Sequence, residues 1–172
     1  MKLNTKFVTV TVIILAVFVA VFAYLNRDRT LSMREAQESG GFFIRAGGEE
    51  YTVTMEDVFD LSPFDIRANY KPSGIRGETR IYQGISFKTL LDSLAIDYTD
   101  CQTVVFNAAD GYASALRLLK ALDEDNCYIV ISHDNNPLGT LESGGTGPFM
   151  MILAHDRFSQ YWCKYLLEVS LR

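Results

Sequence analysis

The stretch that decides the fold of this chain is Val104-Val105-Phe106-Asn107-Ala108-Ala109-Asp110-Gly111-Tyr112-Ala113-Ser114. It begins as an apolar run typical of a buried strand and ends in a small polar cluster. Two later segments repeat this combination, Gly147-Pro148-Phe149-Met150-Met151-Ile152-Leu153 and Asp156-Arg157-Phe158-Ser159-Gln160-Tyr161-Trp162-Cys163-Lys164. The pattern places polar groups at the rim of a buried sheet, a usual position for ligands.

The segments on either side predict a domain with more strands than helices. Strands are predicted at 42–45, 51–53, 64–67, 79–82, 103–106, 128–131, 149–153 and along the alternating segment 161–171. Short helices are predicted at 55–61, 87–94 and 118–122, the first two capped by Thr54 and Ser86. The sequence therefore predicts an α+β fold with a mixed sheet.

The N-terminus predicts a membrane anchor. Residues 7–25 contain no charged side chain, and a helix of that length spans about 28 Å, close to the hydrocarbon thickness of a bilayer. Because Lys2 and Lys6 precede the run, the rest of the chain is predicted to be exported. A cleaved signal peptide ending at Ala23 is the alternative. Residues 1–25 are then the anchor or signal, 26–41 a polar linker, and 42–172 a domain outside the cytoplasm.

The charge of the chain excludes one class of partner. The sequence has 16 Lys and Arg against 21 Asp and Glu. Without Lys2 and Lys6, 14 basic residues remain, and the net charge is −7. Phosphate neutralisation needs clustered basic residues, so nucleic acid is not an expected partner.

The three cysteines, Cys101, Cys127 and Cys163, are widely spaced, and no CxxC pair or Cys/His cluster accompanies them. That spacing argues against a zinc site. In an exported protein one pair could form a disulfide. A buried free cysteine, however, packs as a small apolar side chain, and the prediction is that all three are structural thiols.

Several polar features allow either a ligand-binding or a purely structural interpretation. Asp110-Gly111 is either a tight turn or a carboxylate held at the rim beside Tyr112 and Ser114, and the turn is the default. Trp162 lies on the polar face of the alternating segment, where another segment covers it or a ligand stacks on it. Gly144-Gly145-Thr146-Gly147 lacks the Lys and helix of a phosphate loop and predicts a flexible loop.

Five motifs follow one another between Phe64 and Arg172. They are Tyr82-Gln83-Gly84-Ile85-Ser86-Phe87-Lys88-Thr89-Leu90-Leu91, Asp110-Gly111-Tyr112 with Ser114, Asp134-Asn135-Asn136-Pro137-Leu138, Gly147-Pro148, and Asp156-Arg157-Phe158 leading to Trp162-Cys163-Lys164. In order and spacing they resemble the oxidoreductase molybdopterin-binding domain, the fold of sulfite oxidase. The resemblance implies a mixed α+β fold that holds a pterin cofactor at loops on the sheet rim.

The resemblance also implies a metal ligand that this sequence lacks. Catalytic members of the family bind molybdenum through a Cys ahead of the Tyr-x-Gly segment, whereas residues 66–82 contain no Cys. Neither Asn69 nor Ser73 replaces a thiolate chemically. Active relatives usually carry Arg just after the Gly-Pro pair, where this chain has Met150. Molybdenum redox catalysis is therefore not expected.

The resulting prediction is a membrane-anchored, extracytoplasmic, non-catalytic module that binds a pterin or similar planar ligand and acts with a membrane or surface protein partner. The predicted cofactor-binding residues are Asn69, Asn107, Asp110, Tyr112, Arg157, Gln160 and Trp162. Trp162 would stack on the ligand, Arg157 and Gln160 would hydrogen-bond to it, and Asp110 would pair with an N–H edge. Two alternatives stay open: a molybdopterin-dependent oxidoreductase with an atypical metal site, and a ligand-free scaffold for protein contacts.

Overall fold

The computed structural model describes residues 5–25, 40–72, 74 and 76–172. The chain divides into two compact units, Met1–Glu35 and Ala36–Arg172. The predicted linker 26–41 lies outside the described residues, except for Gly40 and Gly41.

The first unit contains helix α1, Thr5–Leu25, where the sequence predicts an apolar helix. Across residues 5–25, 40–72, 74 and 76–172, no helix is found to be long and apolar enough to cross a membrane. The membrane anchor and the export of the domain stay predictions.

Ten strands in the described part of the second unit form two sheets. In sheet A the order is β2 (Glu49–Val53), β1 (Phe42–Ala46), β10 (Leu166–Leu171), β5 (Thr103–Ala108) and β6 (Ala113–Arg117). In sheet B the order is β3 (Phe64–Tyr70), β4 (Glu78–Ser86), β7 (Cys127–His133) and β8 (Asn136–Pro137), and β9 (Met150–Leu153) also pairs with β7. The pair β1–β10 is parallel and the other described pairs are antiparallel. The α+β prediction is confirmed, with sheet A mixed and sheet B antiparallel.

The helices of this unit are short. They are α2 (Met55–Asp60), α3 (Phe87–Ser93), α4 (Leu118–Ala121) and a 3-10 helix at Ser159–Tyr161. The predicted cap of α2 is confirmed, because the Thr54 side chain accepts from the Asp57 N–H and the Asp57 carboxylate accepts from the Thr54 N–H. The predicted Ser86 cap is wrong in one respect: Ser86 precedes α3, but its hydroxyl makes no capping bond.

The core is one apolar cluster that includes residues of both sheets. Phe42 of β1 meets Phe149, just before β9, with ring centroids 5.0 Å apart. Phe87 of α3 meets Phe106 of β5 at 5.1 Å. All four rings are fully buried, and burial of such side chains stabilises a fold by about 1.5–3 kcal/mol each. These two contacts pack β1 against the segment before β9 and α3 against β5.

The C-terminal segment departs from the predicted strand. Strict alternation was expected from Tyr161 to Leu171, but β10 begins only at Leu166, after Tyr165 with a left-handed φ of 52°. All six residues of β10 are buried. Within β10 the alternation persists, with Leu167, Val169 and Leu171 on one face and Glu168 and Ser170 on the other. The polar face is buried as well, and Arg45, Asn107 and Ser170 bond to the Glu168 carboxylate there.

Two further predictions differ from the structure. Strand β6, which directly follows the Asp110-Gly111 turn, was not predicted. The loop 144–147 was predicted to be flexible, but its backbone is bonded on both sides. Thr146 N–H donates to the Leu138 carbonyl at 2.8 Å, and the Tyr165 hydroxyl donates to the Gly145 carbonyl at 2.8 Å. These bonds make the loop a fixed support for the chain that enters β10.

Gly84 lies where the register of β4 and β7 shifts, and no larger residue fits there. A Cβ at this position would lie 2.2 Å from the Ile129 carbonyl oxygen and 2.7 Å from the Val130 Cα. Both atoms belong to the backbone of β7, so the strands would have to separate locally.

We therefore expect Gly84→Ala to lower the free energy of unfolding by about 1–3 kcal/mol, measured by urea denaturation. Gly77→Ala is the matched control, because its Cβ would meet the Asn69 side chain, which can turn away. Equal stability of Gly84→Ala and the unmodified protein would contradict this account of the strand contact.

Candidate functional site

The Asp110-Gly111 pair forms the tight turn between β5 and β6. Gly111 has a φ of 88°, which favours glycine, and the Asp110 carboxylate accepts from the Tyr112 N–H at 3.0 Å. Asp110 is exposed at the tip. The default structural interpretation is confirmed, and the carboxylate contributes to the turn itself.

The two hydroxyls that follow this turn fasten the 3-10 helix to β6. Tyr112 donates to the Gln160 carbonyl at 2.5 Å, and Ser114 donates to the Tyr161 carbonyl at 2.7 Å. Partial burial raises the pKa of the Tyr112 hydroxyl above its usual value. The Gln160 side chain is exposed. Tyr112 and Gln160 are thus neighbours through a contact that holds the fold together, and their predicted role in ligand binding stays a prediction.

Asn107 belongs to a separate network on sheet A. Its amide donates to the Glu168 carboxylate at 3.4 Å, and Ser170 donates to the same oxygen at 2.8 Å. Arg45 donates to the other Glu168 oxygen at 2.8 Å and also pairs with Glu50. Glu168 is only 4% exposed, so these donors compensate a buried carboxylate. Asn107 therefore has a role in the sheet and does not converge with the other predicted residues.

Trp162 is buried and is not available for stacking on a ligand. It is 5% exposed, and its indole N–H donates to the Leu153 carbonyl at 3.1 Å. Its ring packs against Tyr70 at 5.7 Å and Tyr82 at 5.6 Å between centroids. The default interpretation of a covered tryptophan is confirmed, and the predicted direct stacking role is corrected.

Beside Trp162, basic side chains surround two aromatic rings, and we name this surface the basic–aromatic patch. Its members are Tyr70, Lys71, Arg80, Arg157, Phe158 and Lys164. The Arg80 Cζ lies 4.0 Å and the Lys164 Nζ 5.8 Å from the Tyr70 ring centroid. The Lys71 Nζ and the Arg157 Cζ each lie 5.2 Å from the Phe158 centroid. The two halves are adjacent, since Tyr70 and Lys71 are consecutive and the Ser159 N–H donates to the Lys71 carbonyl at 3.2 Å.

The patch keeps uncompensated positive charge. Arg80 pairs with Glu78, but no described carboxylate forms an ion pair with Lys71, Arg157 or Lys164. Phe158 is 39% exposed, so one ring edge is open to solvent. In a chain whose net charge is −5, this arrangement favours a planar anion, which can contact the rings and the cations together.

Only part of the predicted site lies in this patch. Arg157 is a member of the patch, and the buried Trp162 ring packs against the Tyr70 ring of the patch. Asn69 precedes Tyr70 on β3 and points to the opposite face, because successive side chains alternate along a strand. Sequence reasoning missed the other five members of the patch, Tyr70, Lys71, Arg80, Phe158 and Lys164. The available signal was the Tyr70-Lys71 pair, but only the β3–β4 register brings Arg80 beside it.

The cysteine thiols do not supply a metal site. Cys127 and Cys163 are fully buried, and burial raises the pKa of both thiols, that of Cys163 to about 12. Cys101 precedes β5, at the end of the strand away from Asp110. Within the described residues, no group of three His, Cys, Asp or Glu side chains could hold an ion. Residues 66–82 also contain no Cys that could ligate molybdenum, whereas the patch offers cations and rings suited to a planar anion.

No family model and no curated protein sequence matches this chain. Among solved structures, it is similar to the crystal structure of the sulfane dehydrogenase SoxCD from Paracoccus pantotrophus, with a TM-score of 0.61 and 12% identity. The match covers 76% of this chain and 37% of that chain, so this chain spans little more than a third of its neighbour's length. At this identity the likeness shows the fold alone, and it supports the sulfite oxidase-like fold that the motifs imply.

The buried carboxylate of sheet A gives a stability prediction. Arg45→Ala would leave Glu168 without its cation, and we expect the free energy of unfolding to fall by about 1–3 kcal/mol. Glu50→Ala removes the exposed partner of the same arginine and should cost less than about 1 kcal/mol. Urea denaturation of both variants measures the difference, and equal losses would argue against a special role for the buried pair.

The burial of the thiols gives a reactivity prediction. At pH 8 a thiol with a pKa of about 12 is ionised in only about one molecule in 10,000, and the thiolate is the reactive form. We expect one fast-reacting thiol, Cys101, in the native protein and three in denaturant, counted with a chromogenic disulfide reagent. Fast reaction of Cys163 or Cys127 in native buffer would refute this.

Proposed function

We propose that the domain is a non-catalytic binding module for a planar, anionic heterocycle of the pterin type, held at the basic–aromatic patch. The observation that carries the proposal is the gathering of Lys71, Arg80, Arg157 and Lys164 around the Tyr70 and Phe158 rings. A cation over an aromatic face contributes about 0.5–1 kcal/mol at exposed sites and more when the site is desolvated. These contacts hold the cations beside the rings, and the charge of the unpaired cations is then available to attract a flat anion.

The fold likeness supports the proposal at a coarse level, because the matched structure is that of a dehydrogenase with the fold that the motifs imply. A ligand that is bound without metal would be presented unreacted to another molecule. The partner would be a membrane or surface protein if the exported location predicted from the sequence holds. The alternative of a molybdenum enzyme has less support, because the described residues offer no accessible thiolate near the patch.

The test uses the full chain and two related probes, pterin-6-carboxylate, which is anionic, and unsubstituted pterin, which is neutral. Trp162 is the sole tryptophan and touches Tyr70, so its fluorescence should report occupancy of the patch. Calorimetry gives an independent affinity. We expect the anionic probe to bind more tightly, with an affinity that falls as salt is raised.

Removing two cations should weaken binding selectively. We expect Lys71→Ala/Arg157→Ala to raise the Kd for pterin-6-carboxylate about tenfold or more, equivalent to about 1.4 kcal/mol. Arg67→Ala is the matched control, since Arg67 lies on β3 but on the face opposite Tyr70. The proposal would be contradicted if neither probe bound at high micromolar concentration, or if the double variant and the control bound with equal affinity. Either result would favour a scaffold for protein contacts.

A further inference from the structure

A groove lies at the other end of sheet A from the Asp110 turn. Its volume is about 640 Å³. It is lined by Tyr98, Thr99, Cys101, Gln102, Thr103, Arg117, Leu118, Leu119 and Leu122. The volume falls in the range of about 300–1,000 Å³ that is usual for small-molecule sites. None of the residues predicted from the sequence, and no member of the basic–aromatic patch, belongs to it.

The groove is built on fixed backbone. Thr103 and Arg117 face each other across the β5–β6 pair, and the Leu118 N–H donates to the Gln102 carbonyl at 2.9 Å. The Thr103 N–H also donates to the Arg172 carbonyl at 2.8 Å. These hydrogen bonds fix the backbone of β5, β6 and the start of α4 where they border the groove.

One wall of the groove is apolar and exposed. Leu119 is 86% exposed, whereas Leu118 is buried at 5%, and Leu122 and Tyr98 also line the groove. Transfer of an apolar chain into contact with these side chains is favourable by about 25 cal/mol for each Å² removed from water. A hydrocarbon body would therefore gain most along this wall.

The positive charge in the groove lining favours a ligand with an anionic group. Arg117 is the single charged residue among the nine, and it forms no ion pair with any described carboxylate. Asp97, in the same loop as Tyr98, accepts from the Thr99 hydroxyl at 2.6 Å and does not line the groove. An acidic protein thus presents a groove with one free cation and an apolar wall.

From this geometry we propose that the groove binds a small amphipathic organic acid, whose carboxylate pairs with Arg117 and whose hydrocarbon chain lies along Leu118, Leu119 and Leu122. A guanidinium can hold a carboxylate by two parallel hydrogen bonds. The site is independent of the basic–aromatic patch, and its ligand differs in class from a flat heterocycle.

Cys101 provides a built-in probe, because it lines the groove and is partly exposed, whereas Cys127 and Cys163 are fully buried. The experiment follows the alkylation of Cys101 in the full chain by N-ethylmaleimide, using mass spectrometry. Decanoate below its micelle concentration is the probe, with decanol and acetate as the apolar-only and anion-only comparisons. We expect decanoate to slow alkylation at least fivefold, and decanol and acetate to slow it less than twofold.

Two pairs of variants separate the parts of the site. In Arg117→Gln and in Leu119→Ser, decanoate should lose most of its protection of Cys101 against alkylation. The matched controls are Arg67→Gln and Leu141→Ser, which change an exposed arginine and an exposed leucine outside the groove. In both controls decanoate should still protect Cys101. The proposal is overturned if decanoate gives no protection to the unmodified protein, if decanol protects equally, or if Arg117→Gln is protected as well as Arg67→Gln. Alkylation of Cys127 or Cys163 on adding decanoate would indicate unfolding and would also overturn it.

Discussion

Two backbone hydrogen bonds between Met151 and Cys163, each 2.9 Å long, join the two sheets of this domain. Met151 belongs to β9 in sheet B, and Cys163 lies in the segment that leads into β10, the central strand of sheet A. Both residues are fully buried, so no water could replace these bonds if they were broken. The Trp162 indole adds a third bond to β9. Phe158 and Lys164 lie on either side of this joint in the chain, and in the folded domain Phe158 contacts Lys71 while Lys164 contacts Tyr70.

Positive charge is used in two different ways in this fold. In sheet A, Arg45 compensates the buried carboxylate of Glu168, which Asn107 and Ser170 also approach. Such a pair is costly to break but adds little net stability compared with apolar packing. At the basic–aromatic patch the cations instead lie over rings and have few described carboxylate partners. Their charge is left for an external anion, which is why a binding role fits this surface better than a structural one.

Local signals in the sequence were sufficient to predict those elements that depend on residues close together in the chain. The Thr54 cap, helix α3 with its apolar face, and the buried strand β5 follow from short-range patterns, and each is present. The Asp110-Gly111 turn was also correctly interpreted. Within the predicted strand 161–171, prediction failed only for 161–165, because the left-handed Tyr165 lies between that part and β10. It also failed for β6, a short strand of small residues that directly follows the Asp110-Gly111 turn.

The candidate site was predicted only in part, for a related reason. Sequence motifs pointed to the segment around Arg157 and Trp162, but they could not tell that the indole is covered by Tyr70 and Tyr82. The motifs also could not indicate that Arg80 contacts the Tyr70 ring, since that contact depends on the register of β3 and β4.

The amino-acid sequence by itself determined the α+β class, the short helices, the acidic character of the chain and the lack of a thiolate ahead of β4. These properties depend on composition and on residues a few positions apart. Tertiary structure alone decided which side chains meet: it buried Trp162, placed Asn107 in a sheet network and gathered the cations at Tyr70 and Phe158. Contacts of this kind are set by strand register and by packing between distant segments, and no short stretch of sequence encodes either.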